Sequence, residues 1–210
     1  IVVMFFMFMI RREILLFLRP ARLIASLGKR LSSSADIALR VYHGTMSTIV
    51  FIGLRCSGKS TLGHWLAGEL GIPFLDTDDF VLERLGFGCV QDAWDSVGEE
   101  GWRGAETKVI PPLLKQEAII SFGGGAPMIP LLTKALSSMP IVLNLVASEE
   151  ETACRVQAGR DRPTLSTSDA EIRMERLPLY SMLATCEIDT SGPIEESKSQ
   201  ILAFLQNPET

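Results

Sequence analysis

The most informative residues of the chain form a glycine-rich loop at residues 53–60, which reads GLRCSGKS. This phosphate loop matches the pattern G-x-x-x-x-G-K-[ST], whose glycines let backbone N–H groups converge on phosphate oxygens. In that chemistry Lys59 reaches the β- and γ-phosphates, and the Ser60 hydroxyl ligates Mg²⁺. A turn that binds nothing is disfavoured, because an apolar strand precedes the loop and a helical pattern follows it. The sequence therefore predicts a site for ATP or GTP.

Carboxylates follow the next apolar run, in the sequence DTDDFVLE at residues 76–83. In open α/β sheets, ligands bind at the carboxyl ends of the strands, where such groups can hold water on Mg²⁺ or accept a hydroxyl proton. The competing interpretation is a cluster that caps a helix. We assign Asp79 to the cap, and we expect Asp76 and Asp78 to point the same way along an extended segment.

Glycine and arginine motifs complete the candidate chemistry. Arg103 lies near a predicted helix start in GEEGWRGAE, and the glycines at residues 123–125 follow a strand, which suits close approach of backbone to a ligand. Two basic motifs follow, RDRPTL at residues 160–165 and ERLPLY at residues 175–180. Guanidinium groups pair well with planar anions, so these arginines are candidates for the few placed cations that an anionic substrate of this acidic chain would need.

The segments between these motifs alternate between apolar strands and amphipathic helices, the pattern of a parallel α/β sheet. Strands are predicted at residues 48–52, 72–75, 118–122, 141–146 and 187–189. Helices are predicted at residues 58–70, 99–114, 170–185 and 193–204, and a further helix is predicted to begin near residue 148. Pro111 and Pro112 should end or kink the second of these helices. One α/β domain accounts for residues 46–210.

The first 45 residues have a different composition. They carry a net charge of +5, whereas the remainder carries −10. Their opening run of ten apolar residues is shorter than the roughly 20 that a membrane span needs, and its charges follow rather than precede it, unlike a secretory signal. Three interpretations remain for this N-terminal extension: upstream sequence translated before a start at Met46, a targeting segment, or a membrane-proximal anchor.

Composition excludes several classes of protein. With 47% apolar and 21% charged residues, the 210-residue chain is not wholly disordered, collagen-like or coiled-coil. The net negative charge of residues 46–210 argues against nucleic-acid binding, because it would repel phosphate backbones. Four cysteines without a C-x-x-C pair are typical of free thiols in a reducing compartment and offer no zinc site. The two histidines lack partners at ligand spacing, so we expect surface roles for them.

Six motifs, in chain order, resemble those of shikimate kinase: GLRCSGKST, LDTDDFVLE, GEEGWRGAE, SFGGGA, RPTL and ERLPLY. The resemblance covers essentially all of residues 46–206. It implies a three-layer α/β/α P-loop kinase with a central five-stranded parallel sheet, a lid at about residues 157–167 and a substrate-binding segment at about residues 76–106. The implied reaction is ATP-dependent phosphorylation of the 3-hydroxyl of shikimate to 3-phosphoshikimate, on the path to chorismate and aromatic amino acids.

The resemblance also implies a role for each site residue. ATP binding is assigned to Gly53, Ser57, Gly58, Lys59, Ser60, Thr61, Arg155 and Arg162. Within this set Arg155 lies beside adenine and Arg162 is the lid arginine over the phosphates. Magnesium is assigned to Ser60 and, through water, to Asp76. Shikimate binding is assigned to Asp78, Arg103, Gly124, Gly125 and Arg176, with the arginines clamping its carboxylate. The catalytic residues are Lys59, Asp78, as the candidate base, and Arg162.

The sequence departs from the family pattern in three places. Trp102 replaces a common Phe, RPTL replaces RPLL, and Pro111-Pro112 interrupts a stretch that the family keeps helical, which puts the support of Arg103 in question.

Two alternatives have different functions. One is another small-molecule kinase of this architecture, acting on gluconate or a nucleoside monophosphate, and the other is a non-catalytic nucleotide-binding module at a membrane. The arginine clamp disfavours the first, and the presence of Lys59 and Asp78 disfavours the second. We expect a cytoplasmic monomer that binds ATP and shikimate but neither nucleic acid nor membrane. A plastid or membrane-proximal location would require a genuine targeting or anchor segment at residues 1–45.

Overall fold

The computed structural model describes residues 48–158 and 169–206. These residues form one sheet of five parallel strands in the order β2-β3-β1-β4-β5. The strands are β1 (Thr48–Ile52), β2 (Phe74–Asp76), β3 (Ala118–Ser121), β4 (Val142–Val146) and β5 (Cys186–Asp189). The predicted five-stranded parallel sheet is confirmed. The N-terminal extension and most of the predicted lid lie outside the described residues.

Helices connect the strands, as parallel pairing requires. They are α1 (Lys59–Leu70), α2 (Thr77–Leu85), α3 (Val90–Leu113), α4 (Pro130–Leu136), α5 (Glu149–Ala158), α6 (Asp169–Leu183) and α7 (Ile194–Gln206), with a 3₁₀ turn at Ala126–Met128. Among these helices of the described chain, none is long and apolar enough to span a membrane.

The central strand β1 is buried at all five positions, which explains its uninterrupted apolar sequence. Alternate residues face opposite sides of the sheet. Val50 and Ile52 pack with α3, α4 and α6, whereas Ile49 and Phe51 pack with α1 and α7. Two hydrophobic layers therefore enclose the sheet, and the predicted three-layer arrangement is confirmed.

Helix α3 carries the predicted substrate-binding arginine. It bends at Gly98, whose φ of 65° lies in the left-handed region, and it continues through Pro111 and Pro112 to end at Leu113. The prolines therefore occupy its last turn, and the turns around Arg103 remain helical. Trp102 is buried in a third apolar cluster between α2 and α3, so this departure from the family pattern is accommodated by packing.

Candidate active site

A cavity of about 410 Å³ opens at the carboxyl ends of the strands, where parallel sheets place their ligands. Its walls come from the phosphate loop, the start of α2, the turn after β3, helix α5 and the segment after β5. The predicted site residues that line it are Gly58, Lys59, Ser60, Thr61, Asp76, Asp78, Gly124 and Arg155. The cavity therefore joins the predicted phosphate-loop residues with Asp78 and Gly124, whereas the residues that line it do not include Gly53, Ser57, Arg103, Gly125 and Arg176.

The phosphate loop is held by close backbone packing. A Cβ on Gly53 would lie 2.6 Å from the Leu145 carbonyl oxygen and 2.7 Å from Ser57 Oγ, so only glycine fits there. Gly58, with a φ of 94°, is the N-cap residue immediately before α1. Lys59 Nζ donates to the carbonyl oxygens of Gly53 and Leu54 at 2.9 and 2.8 Å. The ammonium group thus lies over the loop, at the N-terminus of a helix that favours anions.

Ser57 is buried and does not line the cavity. Its hydroxyl oxygen has no hydrogen-bond partner among the described residues and lies 2.7 Å from where a Cβ on Gly53 would stand. The contact of Ser57 with ATP therefore stays a prediction.

Ser60 and Asp76 bring two oxygen donors together. Ser60 Oγ lies 3.3 Å from Asp76 Oδ2, and Asp76 Oδ1 accepts a hydrogen bond from the backbone N–H of Asp78 at 3.1 Å. Hydroxyl and carboxylate oxygens are hard ligands of the kind that Mg²⁺ prefers, with water and phosphate completing its shell. The donor set therefore fits the predicted metal.

The helix cap was assigned to the wrong aspartate. Asp76, not Asp79, is the N-cap of α2, because β2 extends through Asp76 and the helix begins at the following residue. Asp79 is already inside the first turn. For the same reason Asp78 is not on an extended segment with Asp76 but lies in the helix.

The glycines at residues 123–125, called the glycine turn below, contact both acceptor arginines and Asp78. A Cβ on Gly123 would lie 2.2 Å from Asp78 Oδ1, and one on Gly125 would lie 2.1 Å from a terminal nitrogen of Arg103. Arg176 donates to the Gly124 carbonyl at 2.9 Å. A side chain at Gly123 or Gly125 would therefore displace a charged group that packs on this turn, whereas a Cβ on Gly124 would make only ordinary van der Waals contact.

Comparison with known proteins identifies the family. Residues 55–206 match the family model described as shikimate kinase. The chain belongs to the shikimate kinase family. It is 34% identical over 165 residues to the shikimate kinase of Francisella tularensis subsp. novicida (strain U112), covering 75% of this chain and 93% of that protein. The predicted family is confirmed, and membership makes the chain a phosphotransferase of the shikimate pathway of aromatic biosynthesis.

Solved structures of shikimate kinases share the fold. The Acinetobacter baumannii enzyme in complex with shikimate is similar, with a TM-score of 0.71 and 27% identity over 79% of this chain and 97% of that one. The Aquifex aeolicus enzyme has a TM-score of 0.64 and 31% identity, covering 77% of this chain and 97% of that one.

Arg155 braces the nucleotide side of this shikimate kinase fold. Its guanidinium group donates to the carbonyl oxygens of Cys56 at 3.2 Å and Thr190 at 2.6 Å, and it pairs with Glu151 at 2.8 Å. It therefore ties the phosphate loop to the segment after β5 at the cavity wall. Arg162 lies outside the described residues.

Sequence reasoning missed Glu106. Its side chain is fully buried and pairs with Arg103 at 2.8 Å. Burial raises the pKa of the Glu106 carboxyl, although the Arg103 guanidinium opposes this shift. Arg103 also pairs with the exposed Glu99 and lies 5.6 Å from the Trp94 ring centroid. The spacing of three residues on one helix was the available signal for the Arg103–Glu106 pair.

Two hydroxyl groups that hold the glycine turn were also missed. The buried Thr77 hydroxyl accepts the Gly123 N–H at 2.8 Å, and the Tyr180 hydroxyl donates to the Gly124 carbonyl. Both residues stand inside motifs already singled out, but nothing in the sequence shows which hydroxyl meets which backbone group.

Proposed function

We propose that this chain transfers the γ-phosphoryl group of ATP to the 3-hydroxyl of shikimate, giving 3-phosphoshikimate and ADP. One observation carries the proposal: Arg103 and Arg176 reach the same glycine turn from different helices, and Asp78 packs on that turn beside the phosphate loop. Two guanidinium groups suit the shikimate carboxylate, and the neighbouring Asp78 suits an attacking hydroxyl.

The phosphate loop binds the donor. Its N–H groups and the Lys59 ammonium attract the triphosphate, and the same cation stabilises the negative charge that develops as the phosphoryl group moves. Arg155 lies in the cavity wall and contacts the phosphate loop, and the adenine ring would lie beside it. Arg162, assigned by resemblance, supplies a further cation from the lid and helps to exclude water.

Ser60 and Asp76 would hold Mg²⁺, the Ser60 hydroxyl directly and Asp76 through water. The ion, if bound, would neutralise part of the negative charge of the phosphate oxygens. Ser60 Oγ and Asp76 Oδ2 already lie side by side, so little reorganisation of the protein is required.

Asp78 acts as the general base at the acceptor. It accepts the proton of the attacking 3-hydroxyl while Arg103 and Arg176 fix the carboxylate of the ring. Glu106 orients Arg103 through their 2.8 Å contact, and the Thr77 hydroxyl holds the turn against which Asp78 packs.

A coupled assay of ADP release tests this function on the full chain. ADP release should require both shikimate and Mg²⁺. Release that is independent of shikimate, or absent in its presence, would reject the proposal. The same assay on a chain that begins at Met46 tests the predicted boundary, since equal turnover is expected if residues 1–45 are dispensable.

The compartment and the oligomeric state are further proposals. Cys56, Cys89, Cys154 and Cys186 are free thiols, which supports the predicted reducing, cytoplasmic environment. We propose that the protein is a monomer, which light scattering in solution can test.

A further inference from the structure

Tyr180 connects the hydrophobic core to the acceptor side of the site. Its side chain is fully buried among apolar residues of α3, α4 and the sheet. Its hydroxyl donates to the carbonyl oxygen of Gly124, and Arg176, one helical turn earlier on α6, donates to the same oxygen at 2.9 Å. Two donors therefore occupy the two lone pairs of one backbone carbonyl.

This shared carbonyl matters when a substrate binds. A guanidinium group that turns toward a carboxylate would weaken its bond to Gly124, and loss of a hydrogen bond to this partly buried carbonyl costs free energy. The second donor removes this penalty, because the carbonyl remains paired with the Tyr180 hydroxyl while Arg176 reorients. The turn also stays fixed at its other end, where Thr77 accepts the Gly123 N–H.

We infer that Tyr180 is a positioning residue that keeps the Gly124 carbonyl satisfied and so frees Arg176 to hold the acceptor carboxylate. This inference rests on the proposed function. It assigns Tyr180 no contact with the substrate and no part in proton transfer.

The surroundings of the phenol agree with a neutral donor. Burial raises the pKa of Tyr180 to about 12, with the charges of Arg176 and Arg103 opposing that shift and Glu175 adding to it. The hydroxyl therefore keeps its proton throughout the pH range of an activity assay.

Tyr180→Phe removes the hydroxyl and retains the ring. The full-length variant should raise the KM for shikimate roughly fivefold, the loss of one neutral hydrogen bond. Its kcat, its KM for ATP and the shape of its pH profile should remain those of the wild type. The KM-against-kcat split separates positioning from a general loss of folded protein.

Thr185→Val is the matched control. The Thr185 hydroxyl also bonds backbone, accepting from Val142 N–H and donating to Val142 C=O, at the opposite edge of the sheet. This variant should lower the melting temperature and leave the KM for shikimate unchanged. Assays of both variants are run below the lower of their melting temperatures.

A double-mutant cycle with Arg176→Ala tests whether Tyr180 affects shikimate binding through Arg176. Because Tyr180 acts through the carbonyl that it shares with Arg176, Tyr180→Phe should have little further effect on the KM once Arg176 is removed. Additive effects would overturn the inference, as would an unchanged KM in the single variant.

The proposed function and this inference can fail separately. If the wild type does not phosphorylate shikimate, both fail. If the wild type is active and the Tyr180→Phe variant is unaffected, only the inference is overturned.

Discussion

The nucleotide end and the acceptor end of the candidate site are built in different ways. At the nucleotide end, most of the site belongs to the consecutive residues 53–60 and is shaped by backbone geometry. At the acceptor end, the groups come from the start of α2, the middle of α3, the glycine turn and α6. The buried Thr77 and Tyr180 side chains hold α2 and α6 to the glycine turn, and Arg103 of α3 packs against Gly125.

This difference has a consequence for how each end responds to mutation. A change in the phosphate loop affects ATP binding and phosphoryl transfer together, because the same atoms serve both. At the acceptor end, we propose that chemistry and binding depend on separate residues, with Asp78 facing the hydroxyl and the arginines facing the carboxylate. Substitutions there should therefore separate kcat from the KM for shikimate.

Asp78→Asn should give the largest difference between the two ends of the site. The amide cannot accept the hydroxyl proton, so kcat should fall about a thousandfold. Titration of ATP should show nearly unchanged affinity, because the nucleotide end is intact. Lys59→Met is the corresponding change at the nucleotide end and should weaken both ATP binding and turnover. Equal losses of ATP affinity in the two variants would contradict the separation of the two ends.

Arg103→Ala and Arg176→Ala should affect binding of the acceptor. Each removes one guanidinium group from the carboxylate, so the KM for shikimate should rise about 30-fold or more, with the KM for ATP nearly constant. Arg84→Ala, which removes an exposed arginine near the end of α2, provides the control and should change neither. An unchanged KM for shikimate in both site variants would rule out the clamp.

Gly123→Ala should give a smaller effect at the acceptor end. The added Cβ would lie 2.2 Å from Asp78 Oδ1, so the carboxylate must move and kcat should fall about tenfold. Gly68→Ala adds a methyl group in α1 where nothing lies within 4 Å, and it should stabilise the fold by about 0.5 kcal/mol without affecting turnover. Steady-state kinetics and thermal melts of the pair measure both effects, and full activity in Gly123→Ala would show that Asp78 does not need its observed position.

Prediction of the fold from the sequence succeeded where burial produces a simple pattern. Strands β1, β3 and β4 are predominantly apolar and buried, and their predicted bounds agree with the structure to within one residue. The edge strand β2 was predicted too early because Pro73 lacks an N–H for the sheet. The first part of α3 was missed because Gly98 bends the helix and four of the eight helical residues before it are polar.

For the site, the phosphate loop was predicted from its own residues because its pattern is contiguous. The acceptor residues required the family resemblance, since four distant segments meet only in the folded chain. Glu106, Thr77 and Tyr180 were not predicted. Their importance depends on which buried group each one meets, and a single sequence carries no pattern for that.

The most direct test of the account is the structure of the product formed by the full chain from ATP and shikimate with Mg²⁺. Phosphorus-31 and proton NMR identify which hydroxyl carries the phosphate. We expect a single phosphomonoester at the 3-hydroxyl, with ADP in equal amount. Inorganic phosphate as the only phosphorus product besides ADP, or a phosphate on another hydroxyl, would contradict the placement of the acceptor between Asp78 and the two arginines.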